Sequence, residues 1–433
     1  MFTQKSQSGQ ALILIVFGIV GLIGITALAI DSGNAFADRR RAQSAADNAA
    51  LTAALALVNN QSMTTFVLSR DFALPITAAN GLEDSTVTVQ HPIGPGCNGI
   101  TIDPVKPPNP LDPYNTDSLN YYVQVVIRSS VDTYFGPVIG INQVNYCVQA
   151  IARAKPTRNI PPFYGNTVVS LSPYDNSYDS GTSETAKWII KGGGLFANNN
   201  AYAKDFNSVT FPDGQCVTAV GTATHFNCDA AQNMTEYYYN YPQDITPLMP
   251  PTPPCDGTAY LDSAGDGKIH EQLLFEGRGS RIASFAGDYA PGLYCITDAG
   301  GNIHSPITGT GVTFYILDTD FILKFNGSGH IAAQAPLNDP DNPYEGVLIF
   351  APITPTPCTQ NMEIRGNGST PIIGTIFMPS ACIDYRGNGT GDAMDSMIVG
   401  YYVTSNGTAD VNITYNAGNN YKVPDPPLIE LTK

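Results

Sequence analysis

The sequence predicts a mainly β protein: an N-terminal transmembrane helix that extends into a juxtamembrane helix, a small α+β unit, and a right-handed parallel β-helix (solenoid). Three observations support this fold class. Residues 11–30 form an uncharged apolar run. The composition is rich in Gly (41), Pro (33) and Tyr (23) with 13% charged residues, which is typical of a turn-rich β protein. Asn-Gly turns recur about every twenty residues towards the C-terminus, as stacked β-coils require.

The apolar run, residues 11–30, ends abruptly at Asp31. Because a helix rises ~1.5 Å per residue, this run covers the roughly 30 Å hydrocarbon core of a bilayer. We therefore predict a membrane anchor. Its members include Ala11, Leu12, Ile15, Ile19, Leu22, Ile25 and Ile30. Cleavage as a signal peptide is the alternative, since Ala27-Leu28-Ala29 resembles a cleavage site, but the run has full length and helix formers follow it.

The segment after the run, residues 31–58, is rich in Ala, Arg, Gln and Leu, which are good helix formers. The helix is predicted to continue to Val58, with Leu51, Leu55 and Val58 on one face. Its many alanines predict close packing against another helix. The juxtamembrane charges are Asp31, Arg39, Arg40 and Arg41. We expect the acidic residues Asp31, Asp38 and Asp47 to pair with the arginines.

Several short motifs flank the run: Gly9-Gln10 before it, Asp31-x-Gly33 after it, and Gln43-x-x-Ala46-Asp47-x-Ala49-Ala50 further on. With these motifs the segment resembles the N-terminus of TadG-like proteins of the Tad (Flp) pilus assembly system. The resemblance covers about residues 8–56. The glutamate that processed pilin subunits carry shortly after the glycine is absent, which disfavours a cleaved major pilin.

The charge and the cysteines bear on the environment of the protein. A net charge of −16 disfavours nucleic acid, whose phosphates require a basic surface. The positive-inside rule sets Lys5 against the three arginines at 39–41 and, taken literally, places the body in the cytoplasm. The cysteines indicate the opposite side, and so does the family resemblance, which implies a cytoplasmic N-terminus. We expect a single-pass protein of the cell membrane whose bulk is extracytoplasmic.

Eight cysteines all follow residue 96 and lack metal-type spacing. In an exported protein an even number of cysteines indicates disulfides, although eight allow 105 pairings and some could be free buried thiols. Nearest-neighbour pairing is the simplest hypothesis. It joins Cys97 to Cys147, Cys216 to Cys228, Cys255 to Cys295, and Cys358 to Cys382.

The chain is predicted to divide into residues 1–60 (helix), 61–156 (α+β unit), 157–165 (linker), 166–423 (β-helix) and 424–433 (a tail that caps the solenoid). In the α+β unit, alternating residues predict strands at 85–89, 121–128 and 144–154. A short Phe-containing helix is expected between the last two strands, with Phe135, Val138 and Ile139 in the core.

The β-helix is predicted from short apolar strands that are cut by Gly and Asn. Thr167–Leu171, Lys187–Ile190 and Gly192–Phe196 are expected to form its opening rungs, and a proline-rich excursion near 229–280 to cross its surface, pinned by Cys255. Its Asn-Gly corners, where the backbone needs a left-handed residue, are predicted at Asn326, Asn367, Asn388 and Asn406. Pro291-Gly292-Leu293-Tyr294 and the strand 312–316 resemble β-helix surface proteins.

A β-helical enzyme that degrades polysaccharides would need converging acidic residues beside a basic one. The candidate groups are Asp318, Asp320 and Lys324, or Asp339, Asp341 and Glu345. The second group is typical of a solvated turn, and Asp262–Lys268 is typical of a hairpin turn rather than a calcium loop. Arg365 and Arg386 are expected to pair with Glu363 and Asp384. No nucleophile elbow, P-loop or dinucleotide fingerprint occurs, so we expect no enzyme, cofactor or metal.

These expectations favour a structural or adhesive protein associated with a Tad/Flp pilus or its assembly machinery. Two alternatives remain: a pilin-like subunit that polymerises through the N-terminal helix as a homo-oligomer, and a membrane-tethered polysaccharide-degrading enzyme. Exposed aromatics could contact surfaces or glycans, although plain edge packing fits them better. They are Tyr237, Tyr238, Tyr239, Tyr401 and Tyr402.

Overall fold

The computed structural model describes residues 8–83, 86–105, 117–174, 176–179, 187–213, 215–261, 265–271, 279–282, 285–365, 372–387, 392–407 and 411–432. The described chain forms two units. The first contains the residues up to Arg158 and those from Pro424 onward, and the second contains Asn159–Val423.

One long helix, α1 (Ser8–Asn59), opens the chain and joins the predicted membrane and juxtamembrane helices without a break. Two short helices follow, α2 (Thr65–Val67) and α3 (Leu74–Ala79), joined by a π-helical turn at Leu68–Ala73. Single 3₁₀ turns occur at Leu119–Tyr121, Gly136–Ile139, Pro162–Gly165, Thr235–Tyr237 and Thr246–Leu248.

The described part of the chain contains 32 strands. The first four are β1 (Val87–Gln90), β2 (Tyr122–Asp132), β3 (Gln143–Lys155) and β4 (Arg158–Ile160). The next eight are β5 (Val168–Ser170), β6 (Asn176–Asp179), β7 (Trp188–Lys191), β8 (Leu195–Ala197), β9 (Asn200–Tyr202), β10 (Val209–Thr210), β11 (Val217–Ala219) and β12 (Ala223–Thr224). Then come β13 (Gly257–Thr258), β14 (Tyr260–Leu261), β15 (Ile269–His270), β16 (Ser280–Ile282), β17 (Gly287–Tyr289), β18 (Gly292–Ile296), β19 (Gly301–Ile303), β20 (Ile307–Thr310), β21 (Val312–Ile316) and β22 (Phe321–Phe325). The last are β23 (Ile331–Gln334), β24 (Val347–Phe350), β25 (Gln360–Arg365), β26 (Ile372–Ile373), β27 (Thr375–Gly387), β28 (Asp392–Asp395), β29 (Ile398–Gly407), β30 (Val411–Thr414), β31 (Val423–Asp425) and β32 (Leu428–Leu431).

The first unit is an antiparallel sheet of order β1-β2-β3-β32, covered on one face by the second half of α1. The strands predicted near 121–128 and 144–154 are present and longer than expected. Of the strand predicted at 85–89, residue 85 lies outside the described residues. The C-terminal residues correct a prediction: they do not form a tail that caps the solenoid, because Leu428–Leu431 pairs with the end of β3 and completes this sheet.

The buried face of α1 consists almost entirely of alanine, and it packs on the sheet and also, as predicted, on another helical segment, through Leu68 and Ala73. The fully buried positions are Ala42, Ala45, Ala46, Ala49, Ala50, Ala53, Ala54 and Leu57. They contact apolar side chains of β2 and β3 such as Val125 and Ala152. Of the three residues predicted to share one face, Leu51 and Val58 are half-buried against this core, and Leu55 is exposed. Small side chains allow the helix axis to lie close to the sheet.

The second unit contains two large sheets of parallel strands. The ten-stranded sheet has the order β10-β7-β30-β28-β26-β23-β20-β17-β15-β14. The main path of the sixteen-stranded sheet is β11-β8-β5-β29-β27-β24-β21-β18-β16-β13. Among the described pairs of this unit only β14 with β15 is antiparallel. These two strands form the hairpin predicted around Asp262–Lys268, although residues 262–264 themselves lie outside the described residues.

The register of several parallel pairs matches the predicted period of about twenty residues, whereas β21 pairs with β24 at a spacing of 35 residues. Tyr294 pairs with Phe314, Cys382 with Tyr402, and Met394 with Ile413. The corner at Asn326 is present, with Gly327 in the left-handed region (φ 61°). Asn406 and Gly407 instead lie within β29, and the predicted corners at Asn367 and Asn388 lie outside the described residues.

The strands predicted to open the solenoid do not lie at an edge of either sheet. The strands expected to open the solenoid, β5 and β7, pair with β29 and β30 near the end of the chain. Strands β5 to β11 extend the sheet outward from that point, and β13 lies at the opposite edge. The second unit therefore begins inside its two sheets, and its late strands β29 and β30 return to lie beside the first ones.

The proline-rich excursion connects the two edges of the sixteen-stranded sheet. Tyr239 exchanges two 2.8 Å hydrogen bonds with the side chain of Asn198, just after β8. Tyr241 bonds Ser380 in β27, and Cys255 forms a disulfide with Cys295 in β18. Since β8, β27 and β18 occur in this order across the sheet, the stretch before β13 crosses its face. The predicted range, 229–280, is too long, because β13, β14 and β15 lie within it and join the sheets.

Two cores lie on the sheets of the second unit. The larger contains side chains from both sheets, including Trp188, Phe314 and Tyr385. The smaller contains residues of the sixteen-stranded sheet together with Ile245 of the excursion. It also contains Phe163, so the stretch predicted as a linker (157–165) includes both β4 and a buried aromatic.

All eight cysteines form disulfides. The bonds join Cys97 to Cys147, Cys216 to Cys228, Cys255 to Cys295, and Cys358 to Cys382, which are the nearest-neighbour pairs.

Candidate membrane-proximal site

The large apolar side chains in the first half of α1 are mostly exposed in the described residues. Among the predicted anchor residues, Ile15, Ile19, Leu22, Ile25 and Ile30 are exposed. The side chains of Ala11 and Leu12 lie outside the described part. The helix is long and apolar enough to span a membrane. A length and composition of this kind also fit a signal sequence.

A hairpin tip lies beside this helix where the apolar run ends. Strands β2 and β3 pair up to Asp132 with Gln143, so residues 133–142 (the tip) project beyond the last strand pair. The N–H of Thr133 donates to the carbonyl of Asn142 at 3.0 Å, and this hydrogen bond closes the base of the tip. Its hydroxyl donates to the carbonyl of Ile141 at 2.5 Å. Gly136 is required at this turn, since a Cβ there would lie 2.4 Å from the Ile141 oxygen.

Asp31 fastens the tip to the helix. Its carboxylate accepts hydrogen bonds from three successive backbone amides, those of Tyr134 (2.8 Å), Phe135 (3.0 Å) and Gly136 (2.8 Å). Hydrogen bonds of backbone N–H groups to an ionised carboxylate are among the stronger ones in proteins. The predicted pairing of Asp31 with an arginine is therefore wrong: its carboxylate binds backbone amides of the tip.

The remaining juxtamembrane charges follow over the next turns of α1. Arg41 pairs with Asp38, as predicted, and Arg39 and Arg40 are exposed. Asp38 also accepts a 2.6 Å hydrogen bond from the hydroxyl of Tyr146 in β3. Burial and this bond raise the pKa of Tyr146. Asp47 accepts from Gln43 at 2.8 Å. Of the three predicted acidic partners, only Asp38 has an ion pair with an arginine among the described contacts.

The tip corrects the prediction that Phe135, Val138 and Ile139 are core residues. Phe135 is 42% exposed, Val138 is 87% exposed and Ile139 is 75% exposed. The pattern Val131 to Gly140 does contain a strand followed by a short Phe-containing 3₁₀ turn, as expected. The side chains nevertheless cannot reach the core because the turn stands beyond the end of the sheet.

The charged residues considered as catalytic candidates form local turns and pairs. Asp318 accepts from the Asp320 amide at 3.1 Å, and Glu345 accepts from the Asp339 amide at 3.2 Å, as turns do. No group of three or more metal-ligating side chains occurs in the part of the chain that the structure describes.

Arg365 and Arg386 are adjacent in the parallel pair of β25 with β27. Arg365 lies 2.6 Å from Glu363, and Arg386 lies 2.7 Å from Asp384. These are the predicted ion pairs, so each of the two arginines has a carboxylate partner on its own strand.

The candidate surface tyrosines are mostly packed. Tyr237 and Tyr239 are half-buried against the smaller core, and the ring of Tyr401 contacts Tyr241. Burial raises the pKa of Tyr401 and of Tyr402. Of the five tyrosines, Tyr238 is exposed.

Comparison with known proteins identifies the N-terminal segment. Residues 9–56 match the model of the Tad family, described as Flp pilus-assembly TadE/G-like. The matched residues coincide with α1. No curated protein and no solved structure matches the chain. The segment that holds the apolar run, Asp31 and the arginines is thus TadE/G-like, and the match does not extend to the sheets.

Proposed function

We propose that the protein is a single-pass membrane protein with an extracytoplasmic body, and that it serves as a structural or adhesive component of a Tad/Flp-type pilus or its assembly apparatus. The observation that carries this proposal is the coincidence of the TadE/G-like match with α1. The first half of that helix is apolar and exposed, and its second half is held on a folded sheet.

The four disulfides support the outward orientation of the body, because thiols are kept reduced in the cytosol and oxidised outside it. The three arginines at 39–41 oppose this orientation, because the positive-inside rule counts Lys and Arg near the ends of the membrane span. We give the disulfides the greater weight, because they require an oxidising compartment.

We further propose that the parallel sheets form a right-handed β-helix and that the body has two parts, the α+β unit near the membrane and the β-helix with its excursion. The twenty-residue register and the shared core of the two sheets support stacked coils. Such a stack offers long faces of regular side chains, which suits a scaffold or a surface contact.

A pilin-like filament subunit is the second candidate. It is favoured by one observation: the apolar side chains in the first half of α1 are mostly exposed, so this surface could pack against other copies in a fibre. In both candidates α1 is the part that leaves the aqueous phase.

Alkaline carbonate extraction combined with protease treatment of spheroplasts tests the proposal. We expect the chain to stay in the membrane pellet after carbonate, and protease added outside to degrade the body while the membranes are intact. Release into the carbonate supernatant would contradict the membrane anchor. Protection from external protease, lost only on detergent lysis, would contradict the outward orientation.

A further inference from the structure

The tip, residues 133–142, carries an apolar surface that its own fold leaves uncovered. Val138 and Ile139 project with 87% and 75% of their surface exposed, and Tyr134 with 73%. Ile141 is also exposed. Such a concentration of large apolar side chains on one short turn marks a contact with another apolar phase.

The position of the tip along α1 indicates what its apolar side chains contact. A groove of about 780 Å³ separates the tip from the helix. Val20, Ile23 and Ala27 line it from the helix, and Val138 and Ile139 from the tip. Val20 precedes Asp31 by eleven residues, which is about 16 Å along a helix. The apolar side chains of the tip therefore lie at the level of the apolar run and not beyond its end.

The backbone of the tip is suited to a water-poor environment. Three of its amides donate to Asp31. The amides of Val138, Gly140 and Ile141 donate to the carbonyls of Phe135, Pro137 and Gly136 at 2.9 to 3.1 Å, and Pro137 has no N–H. In hydrocarbon an unpaired backbone group is costly, so irregular segments enter it only when their polar groups are paired.

We propose that the tip is a second membrane contact, which inserts Val138 and Ile139 into the acyl region of the extracytoplasmic leaflet beside α1. This inference rests on the proposed membrane anchor. Tyr134 and Phe135 then lie at the interfacial level that aromatic residues favour. Arg39 and Arg40 follow about 12 Å further along the helix, where lipid phosphates are found. The insertion fixes the rotation and height of the sheet relative to the bilayer, which a lone helix does not.

Depth-dependent quenching by brominated lipids tests this insertion. The full chain carrying Val138→Trp is reconstituted in phosphatidylglycerol and phosphatidylcholine vesicles, with or without bromine on the acyl chains. Leu119→Trp is the matched control, because Leu119 is exposed at the opposite end of β2. The native Trp188 is fully buried, and its signal in the parent chain is subtracted. Flotation of the same samples reports the helix anchor separately.

We expect the tryptophan fluorescence of the Val138→Trp variant to be largely quenched in brominated vesicles. The fluorescence of the Leu119→Trp variant should be retained. Val138→Trp that floats with the vesicles but is not quenched would overturn the insertion while leaving the anchor intact. That result would also be found if a second protein helix covered the tip. A chain that fails to float would overturn the anchor and the insertion together. Ile139→Trp repeats the test at a neighbouring position in case Val138→Trp does not fold.

Discussion

At the scale of single residues, Asp31 shows how one side chain connects two elements that are a hundred positions apart. Its carboxylate is the acceptor for three consecutive amides of the tip. Asp31-x-Gly33 is visible in the sequence as a motif after the apolar run. Its partner could not be predicted, because a carboxylate on the same helix as three arginines is expected to form ion pairs, and only the fold brings the amides within reach.

Replacing Asp31 with Ala should loosen the tip. Three backbone N–H groups would lose a charged acceptor, and a hydrogen bond to a charged group contributes about 1.5–3 kcal/mol. Hydrogen exchange of the Phe135 and Gly136 amides should accelerate about tenfold or more. Asp31→Asn, which keeps one carbonyl oxygen, should show a smaller effect. Unchanged exchange in Asp31→Ala would mean that the carboxylate does not hold the tip.

Asn420 plays a comparable role in the second unit, where it is almost fully buried. Its side-chain oxygen accepts from the amide of Met397 at 2.8 Å and from Thr375 at 3.2 Å. Its amide group donates to the carbonyl of Asn416 at 3.0 Å. The side chain thereby ties the segment after β30 to the strands β27 and β29.

Asn420→Ala should lower the free energy of unfolding of the second unit by about 1–3 kcal/mol, because the buried Met397 amide loses its acceptor. Denaturant unfolding followed by the fluorescence of Trp188, the single tryptophan, measures this directly. The control is Asn302→Ala at an exposed position, where we expect a change within about 0.5 kcal/mol. Equal effects of the two substitutions would show that the Asn420 bonds do not stabilise the unit.

At the scale of elements, α1 is one helix with two different surfaces. Its first half is apolar on all sides, and its second half presents an alanine face to the sheet. A stripe of small residues is compatible with close packing on a helix or on a sheet. The sequence alone could not predict the packing on the sheet, since the strands that cover the stripe lie far along the chain.

Enlarging the alanine face should disturb this packing. Ala50→Leu adds volume where the helix meets the sheet without a gap, and overpacking of this kind costs about 1–3 kcal/mol. We expect faster hydrogen exchange in β2 and β3 of the full chain in detergent. Ala37→Leu, at an exposed position of the same helix, should leave these strands unaffected. If Ala50→Leu also left them unaffected, the helix would not be packed on the sheet as the structure has it.

At the scale of the whole molecule, buried tyrosines couple the stability of the second unit to alkaline pH. Burial raises the pKa of Tyr344 to about 12 and that of Tyr421 to about 12, against about 10 for an exposed phenol. The folded state then retains these protons where the unfolded state loses them. Their contribution is complete below about pH 10 and is lost as the pH rises through about 12.

The midpoint of denaturant unfolding should therefore fall between about pH 9 and pH 12, as followed by Trp188 fluorescence. Tyr344→Phe with Tyr421→Phe should reduce this fall, because the phenols no longer titrate. Tyr238→Phe, at an exposed tyrosine, should not reduce it. A double variant with the same pH dependence as the parent would refute the role of these two phenols.

Local patterns made much of the molecule predictable. The apolar run, the strands near 121–128 and 144–154, and the twenty-residue period follow from periodicity and turn residues, and the structure contains them. The features that escaped prediction depend on distant partners. They are the pairing of β5 with β29, of Leu428–Leu431 with β3, and of Asp31 with the tip. The tip itself could have been found: a proline-glycine turn between two paired strands is too short to bury its own apolar side chains.

We propose that α1 holds the protein in the membrane as an accessory of the pilus system and not as its repeating subunit. Shearing the cells, pelleting the filaments, and probing the membrane and filament fractions for this chain tests that claim most directly. We expect the chain to remain with the membranes, and at most trace amounts to appear with the fibres. Recovery in the sheared filaments in amounts comparable to the main subunit would contradict the claim and show that α1 is the core of a polymer.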